Sequence, residues 1–372
     1  MIYLDYQATT PLAPEAAEAM RPWLDKFANP HAPSRWGREA AAAVEVARGQ
    51  VEAAIGLEGG SLAFTGSATE ALNWALKGTV ENSDGNRNRI VTAQTEHAAV
   101  LDTCAWLEGR GIEVTYLPVN LDGVVDSRDL AAAVDERTLL VAIMQVNNEI
   151  GVLQDIGGLA RTAHAKGALF LCDAVQAFGR MRIAEGPDLV AVSAHKIHGP
   201  KGIGALWMRA GAEPAPLIHG GGQERGLRSG TLSPALCAGF GAAAAVARQR
   251  MQDDERHVQR LYAKAAKIFA AGGWHVNGST RQRYWGNLNI RRDGVDASRL
   301  LADLREIAFS LGSACASGSG RPSHVLRALG LSDREARSSV RIGFGRYTSE
   351  EELLTACRRI DEAARAQANL AA

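Results

Sequence analysis

Two residues, an aspartate and a lysine, each close a short apolar run. Asp173 ends "ALFLCD", with Gln176 three positions on, and Lys196 lies 23 residues beyond Asp173, at the end of "DLVAVSAHK" and before a Gly/Pro-rich turn. A lone lysine in such a place is usually a surface charge. If both runs are strands of one parallel sheet, the amine and the carboxylate meet at its mouth, where ligands bind. That pairing suits pyridoxal phosphate: the lysine holds the cofactor as a Schiff base, and the carboxylate keeps the pyridine nitrogen protonated so that the ring accepts electrons.

Such a cofactor needs a phosphate cradle, and "FTGSATEALNWALKG" (64–78) supplies a strand, a Gly-Ser turn and a helix start. The N–H groups of Ala68 and Thr69 would face an anion at the positive end of the helix dipole, with Ser193 and His195 beside Lys196 completing the cradle. The plainer alternative is an ordinary turn in which Ser67 or Thr69 caps the helix. His97, in "TEHAAVLD", follows the run "RIVTAQ" and could stack on a cofactor ring and move protons. Asn147 and Asn148 follow "LLVAIMQV" and fit either a turn or a hydrogen-bond donor to the ring; "HGGGQERGLRSGT" fits a flexible connection.

Cys315 sits in "FSLGSACASGSGRPSHV" (309–325), among glycines and serines that cannot pack a core. That setting suits a nucleophile on a mobile arm. Cys104, Cys172, Cys237 and Cys357 lie in helical or strand-like apolar patterns and read as packing.

The elements that must position these residues are legible as a pattern. From about residue 60 to 210, Val/Ile/Leu-rich runs alternate with helical segments, the signature of βαβ units and a mainly parallel sheet. After residue 232 comes one long helical pattern broken at Gly272–Gly273, and then the strand-like "YWGNLNIRR" and "SSVRIGFGRY" flanking the cysteine segment. The expected organisation is a large α/β domain over 15–245 and a smaller α+β domain made of 1–14 and 246–372.

The 372 residues carry 41 basic and 41 acidic side chains, giving no global charge to attract nucleic acid or an anionic membrane. The apolar runs are too short for a membrane span, and the N-terminus lacks the pattern of a signal peptide. Five scattered cysteines imply neither a disulfide framework nor a zinc site, and reduced, cytoplasmic residence is expected.

Ten collinear blocks carry a specific resemblance, among them "YLDYQATTPLAP", "FTGSATEALNWALKG", "DAVQAFG", "SAHKIHGPKGIGALW", "GGGQERGLRSGT" and "VRIGFGRYTSEEE". Over nearly its whole length the chain resembles the cysteine desulfurases of the NifS/IscS type, which are class V, fold-type I pyridoxal-phosphate enzymes. The resemblance implies that Lys196 is the Schiff-base lysine, that Asp173 partners the pyridine nitrogen, that Gln176 donates to the ring hydroxyl and that His97 stacks on the ring. It implies that Thr69, Ser193 and His195 hold the phosphate, with Thr231 reaching it from the second subunit of a homodimer. Asn148 and Arg341 would bind the substrate carboxylate, and Cys315 would be the nucleophile.

The implied reaction turns L-cysteine into L-alanine and leaves sulfur on Cys315 as a persulfide, for delivery to an acceptor such as an iron–sulfur scaffold. The related alternatives are a selenocysteine lyase or a class V aminotransferase, the latter having no need of Cys315. Two departures from the family stand out: Gly66-Ser67 reverses the usual Ser-Gly order, and "NPHAPSRWG" (29–37) gives Asn29 no assigned role. Phosphate binding is expected to survive the reversal, because the Ala-Thr-Glu helix start is kept.

Overall fold

The computed structural model describes residues 1–312 and 323–371. Seven strands form the main sheet, in the spatial order Gly60–Thr65, Gly204–Arg209, Leu189–Ser193, Leu169–Asp173, Thr138–Ala142, Arg89–Ala93 and Glu113–Leu117. Gly204–Arg209 runs antiparallel to both neighbours, and the other six strands point the same way. The central strands "TLLVA" and "LVAVS" are buried at every position, the two-sided burial expected of a parallel sheet covered by helices. Because their directions agree, the carboxyl ends of the six strands share one edge. The segments that begin at Gly66, Gln94, Ile143, Ala174 and Ala194 all leave from it.

Helix Pro234–Ala271, capped by Ser233 and closed at Gly272, packs on helices Pro14–Leu24, Arg35–Ile55 and Glu350–Ala371. Its 38 residues span about 57 Å, and it runs without a break through residue 245, the expected domain boundary. Its Phe240 stacks against Phe64 and Phe178, with ring centroids 6.2 and 6.1 Å away. Fully burying an aromatic ring of this size contributes about 1.5–3 kcal/mol.

A second, antiparallel sheet has the order Ser310–Leu311, Ser339–Gly343, Asn287–Arg291 and His275–Val276. The chain's first residues belong with it: Ile2–Tyr3 pairs with Ile307–Ala308, and Asp5 bridges to Gly343. From there the N-terminal segment crosses to the main sheet, where Thr10 and Ala13 donate their N–H groups to His195 O and His198 O, at 3.0 and 2.9 Å. This strap brings Gln7 and Ala8 over Lys196. Among the described residues, no helix is long and apolar enough to cross a membrane, and no cluster of His, Cys, Asp and Glu could hold a metal ion.

Candidate active site

Lys196 ends a short turn, Ala194–Lys196, directly after its strand. Its Nζ donates to Gln7 O at 2.5 Å and Ala8 O at 2.8 Å, so the strap holds the amine in place. Asp173 is the last residue of the neighbouring strand, and its Oδ1 accepts the Val175 N–H at 2.9 Å. Lost water pushes this buried carboxyl up from its usual range, opposed by the Val175 N–H and by the His97 and Lys196 charges.

Gln176 donates from Nε2 to Gln7 O at 3.0 Å, while its Oε1 accepts Arg180 Nη1 at 2.5 Å. Arg180 also donates through Nη2 to Tyr6 O (3.0 Å) and Lys196 O (2.9 Å). The guanidinium thereby takes the acceptor end of the Gln176 amide and leaves the NH2 as its other face. His97 caps helix Ala98–Glu108, its Nδ1 accepting the Ala99 N–H at 3.1 Å. A neutral ring with that acceptor carries its proton on Nε2. Burial lowers the His97 pKa, Asp173 opposes the shift, and the Lys196 and His324 charges add to it.

At one end of the site Ser67 caps helix Ala68–Glu81, its Oγ accepting the Glu70 N–H at 3.2 Å. First-turn N–H groups such as those of Ala68 and Thr69 have no carbonyl one turn back to accept them. Glycine is required opposite: a Cβ on Gly204 would lie 2.6 Å from Ser67 C and 2.7 Å from Ala68 N. The reversed Gly66-Ser67 pair costs the backbone nothing, since Ser67 is extended (φ −171°) and Gly66 has no left-handed φ. Beside this helix start lie buried Ser193 and half-buried His195, whose Nδ1 is 3.1 Å from Thr9 Oγ1. Burial, then the charges of Lys196, Lys201 and Arg180, bring the His195 pKa down to about 4.

At the other end Arg341, in the middle of strand Ser339–Gly343, is 1% exposed. Nη1 donates to Asn148 O at 3.1 Å, and Nη2 donates to Asp5 Oδ1 at 2.7 Å and Ser310 Oγ at 3.3 Å. Its buried Nε has no partner among the described residues. An N–H in that position calls for an acceptor.

Ala68, Thr69, His97, Asn148, Asp173, Gln176, Ser193, His195, Lys196 and Arg341 all line one cavity of about 300 Å³. Two expected residues are not among them. Thr231 is exposed on the 219–231 arm and does not line the cavity of the single chain. Cys315 lies outside the described residues. The residues flanking that segment are held beside the cavity: Asn289 Nδ2 donates to Gly312 O and Glu149 O, and Ser323 Oγ donates to the Glu149 carboxylate. Asn147 forms the turn, its Oδ1 accepting the N–H groups of Glu149 and Ile150, and Asn148 faces the cavity.

Sequence reading assigned nothing to Gln7, Ala8 and Arg180. The first two act on Lys196 through backbone carbonyls, which leave no side-chain signal. Arg180 stands four residues after Gln176, the one hint of its contact. Cys104, Cys172, Cys237 and Cys357 are buried, and burial pushes the thiols of Cys104, Cys237 and Cys357 up to about 12.

The donor set fits pyridoxal phosphate. An amine and a buried carboxyl line one cavity, together with an amide donor and a helix start. The carboxyl's raised pKa is the mark of a group that a cationic ring N–H would satisfy.

Comparison with known proteins agrees with this geometry. The aminotransferase class-V family profile matches residues 2–355. "Cysteine desulfurase IscS" of Rickettsia bellii (strain OSU 85-389) is 44% identical over 361 residues, 95% of this chain and 88% of that protein. A solved structure titled "NIFS-LIKE PROTEIN" superimposes with a TM-score of 0.91 at 33% identity, covering 97% of this chain and 98% of that one. Another, titled "SspA in complex with cysteine", has a TM-score of 0.83 at 34% identity and covers 94% of this chain and 100% of that one. With its fold, its cavity and 354 of its residues accounted for in this way, the chain belongs to the class-V aminotransferase family.

Proposed function

We propose that this protein is a pyridoxal-phosphate-dependent cysteine desulfurase, converting L-cysteine to L-alanine and passing the sulfur to Cys315 as a persulfide. The observation that carries the reading is the single cavity in which Lys196, Asp173, Gln176 and His97 lie between a helix start and a buried arginine. Lys196 would hold the cofactor through Nζ, Asp173 its ring nitrogen, Gln176 its ring oxygen and His97 its face. Ala68, Thr69, Ser193 and His195 would hold its phosphate. When bound, the cofactor supplies a sink for the electron pair released at the substrate Cα.

The remaining work falls to the chain's own residues. Asn148 and Arg341 orient the substrate carboxylate, the guanidinium by its planar fork. The Lys196 amine would move the Cα proton. The Cys315 thiolate attacks the substrate sulfur: an S–S bond forms, the Cβ–S bond breaks, and its electron pair stays with the carbon skeleton, which gains a proton and departs as alanine. A free thiol is ionised to only a few per cent near neutrality, so Cys315 must be activated on approach.

The same reading includes a homodimer, in which Thr231 completes the phosphate site of the partner subunit. It includes cytoplasmic residence, and an acceptor such as an iron–sulfur scaffold that takes the persulfide sulfur. It keeps the division into a cofactor-holding part, 15–245, and a part made of 1–14 and 246–372 that carries Cys315.

The test is product analysis with pyridoxal phosphate, a thiol reductant and L-cysteine, for wild type and Cys315→Ser together. Equimolar alanine and sulfide from wild type and neither from the variant is the expected result. Equal output from both would remove Cys315 from the mechanism, and no product from wild type would refute the desulfurase reading.

A further inference from the structure

The glycine-rich 219–231 arm is tied by two ion pairs of opposite sense, one to Arg48 of helix Arg35–Ile55 and one to Glu70 in the first turn of helix Ala68–Glu81. The arm's Glu224 is buried, and its carboxylate accepts Arg48 Nη1 and Nη2, both at 2.7 Å, and the Phe64 N–H at 2.7 Å. In the opposite sense, the arm's Arg228 donates Nε to Glu70 Oε1 at 2.7 Å and Nη2 to Glu70 Oε2 at 3.1 Å. That same Oε2 accepts the Gly66 N–H at 2.7 Å. One carboxylate from the arm and one from the helix thus hold backbone N–H groups two residues apart, both in the segment leading to Ala68 and Thr69.

The arm is not slack. Glu224 and Arg225 take left-handed φ values of +50° and +59°, followed by Gly226 at +82°. For a residue with a Cβ that conformation is strained, and it persists only where the surroundings over-determine it. Here the over-determination is visible: three charge-assisted bonds converge on one buried carboxylate.

We infer that Glu224, Arg48, Arg228 and Glu70 are positioning residues for the phosphate end of the cavity. They lock the arm to the Phe64–Thr69 turn, so that the aim of the Ala68 and Thr69 N–H groups depends on how the arm is seated. This rests on the reading of that end as the phosphate site. Two ion pairs of opposite sense also fix the arm's register, since a shift that separates one pair separates the other.

The test compares the affinities of cofactor-free protein for pyridoxal phosphate and for pyridoxal, which lacks the phosphate, by absorbance titration. The Arg228 and Glu70 side chains are 17% and 18% exposed, so changing either leaves the deeper Arg48–Glu224 pair intact. Arg228→Gln and Glu70→Gln should weaken pyridoxal phosphate about tenfold, the worth of one hydrogen bond to a charged group. Both should leave pyridoxal within about twofold, and Arg228→Lys should recover part of the loss. Glu224→Gln, checked for folding by its thermal unfolding curve, should act in the same direction. Equal weakening of both ligands would reduce the ion pairs to general scaffolding, and unchanged preference in the variants would overturn the inference alone. A wild type that does not prefer the phosphorylated ligand would overturn the phosphate site and the inference together.

Discussion

At one end of the cavity the groups that would face the proposed phosphate are neutral: first-turn N–H groups, the Ser193 hydroxyl and a histidine whose pKa burial brings down to about 4. At the other end stands a full guanidinium charge, Arg341, 1% exposed and already sharing Asp5. The neutral end is built by strand ends and helix starts of the main sheet, so its parts are assembled by topology. The charged end gathers Asp5, Asn148, Ser310 and Arg341 from four distant stretches of chain. A resident phosphate needs many fixed dipoles and no exchange. A substrate carboxylate, which enters and leaves with every turnover, is better met by a strong, partly satisfied fork.

The contrast can be broken first at the charged end. Arg341→Lys keeps the charge but loses the fork, and kcat/KM for L-cysteine should fall about 100-fold, with pyridoxal phosphate affinity nearly unchanged. At the neutral end the split reverses: Thr69→Ala should weaken the cofactor about tenfold, while the KM for L-cysteine at saturating cofactor stays the same.

The histidines give a pH signature. Burial holds His195 neutral down to about 4 and His198 down to about 3, against an ordinary value of 6.5. Below 6.5 the unfolded chain therefore binds more protons than the folded one, and stability that is complete above 6.5 drains away as pH falls toward those values. The slope is at most about 1.4 kcal/mol per pH unit for buried His198, and smaller for the partly solvated His195. Urea unfolding of wild type and His198→Asn at pH 7, 6 and 5 isolates it, because the opposite slope from the buried Asp173 and Glu96 carboxyls, raised by burial, is common to both. Equal slopes for the two proteins would contradict the burial of a neutral His198. The smallest effect belongs to the reversed turn: the Gly66→Ser, Ser67→Gly double variant should shift cofactor affinity by no more than about twofold, because glycine replaces a serine cap at a cost of a few tenths of a kcal/mol.

Much of this site was legible in the sequence because parallel sheets leave their functional residues just after apolar runs. Asp173, Ser193 and Lys196 announce themselves in that way, and the capping alternative for Ser67 proves compatible with the cradle. The strands around Asn287 and Ser339 and the helix stop at Gly272 were readable from periodicity and glycine. What could not be read depends on long-range backbone. The carbonyls of Gln7 and Ala8 reach Lys196 from 189 and 188 residues away, and "HGGGQERGLRSGT" looks slack until Glu224 is seen buried. The long helix after residue 232 was itself readable from its pattern, and it runs unbroken through residue 245, where the change in composition had set the domain boundary.

The most direct measurement traps the cofactor on the protein. Protein incubated with pyridoxal phosphate is reduced with borohydride, digested, and the pyridoxyl group located by peptide mass mapping. One modified lysine, Lys196, is expected, with no modification of the neighbouring Lys201. Modification at Lys201, at any other lysine, or at none would contradict the placing of the chemistry in this cavity.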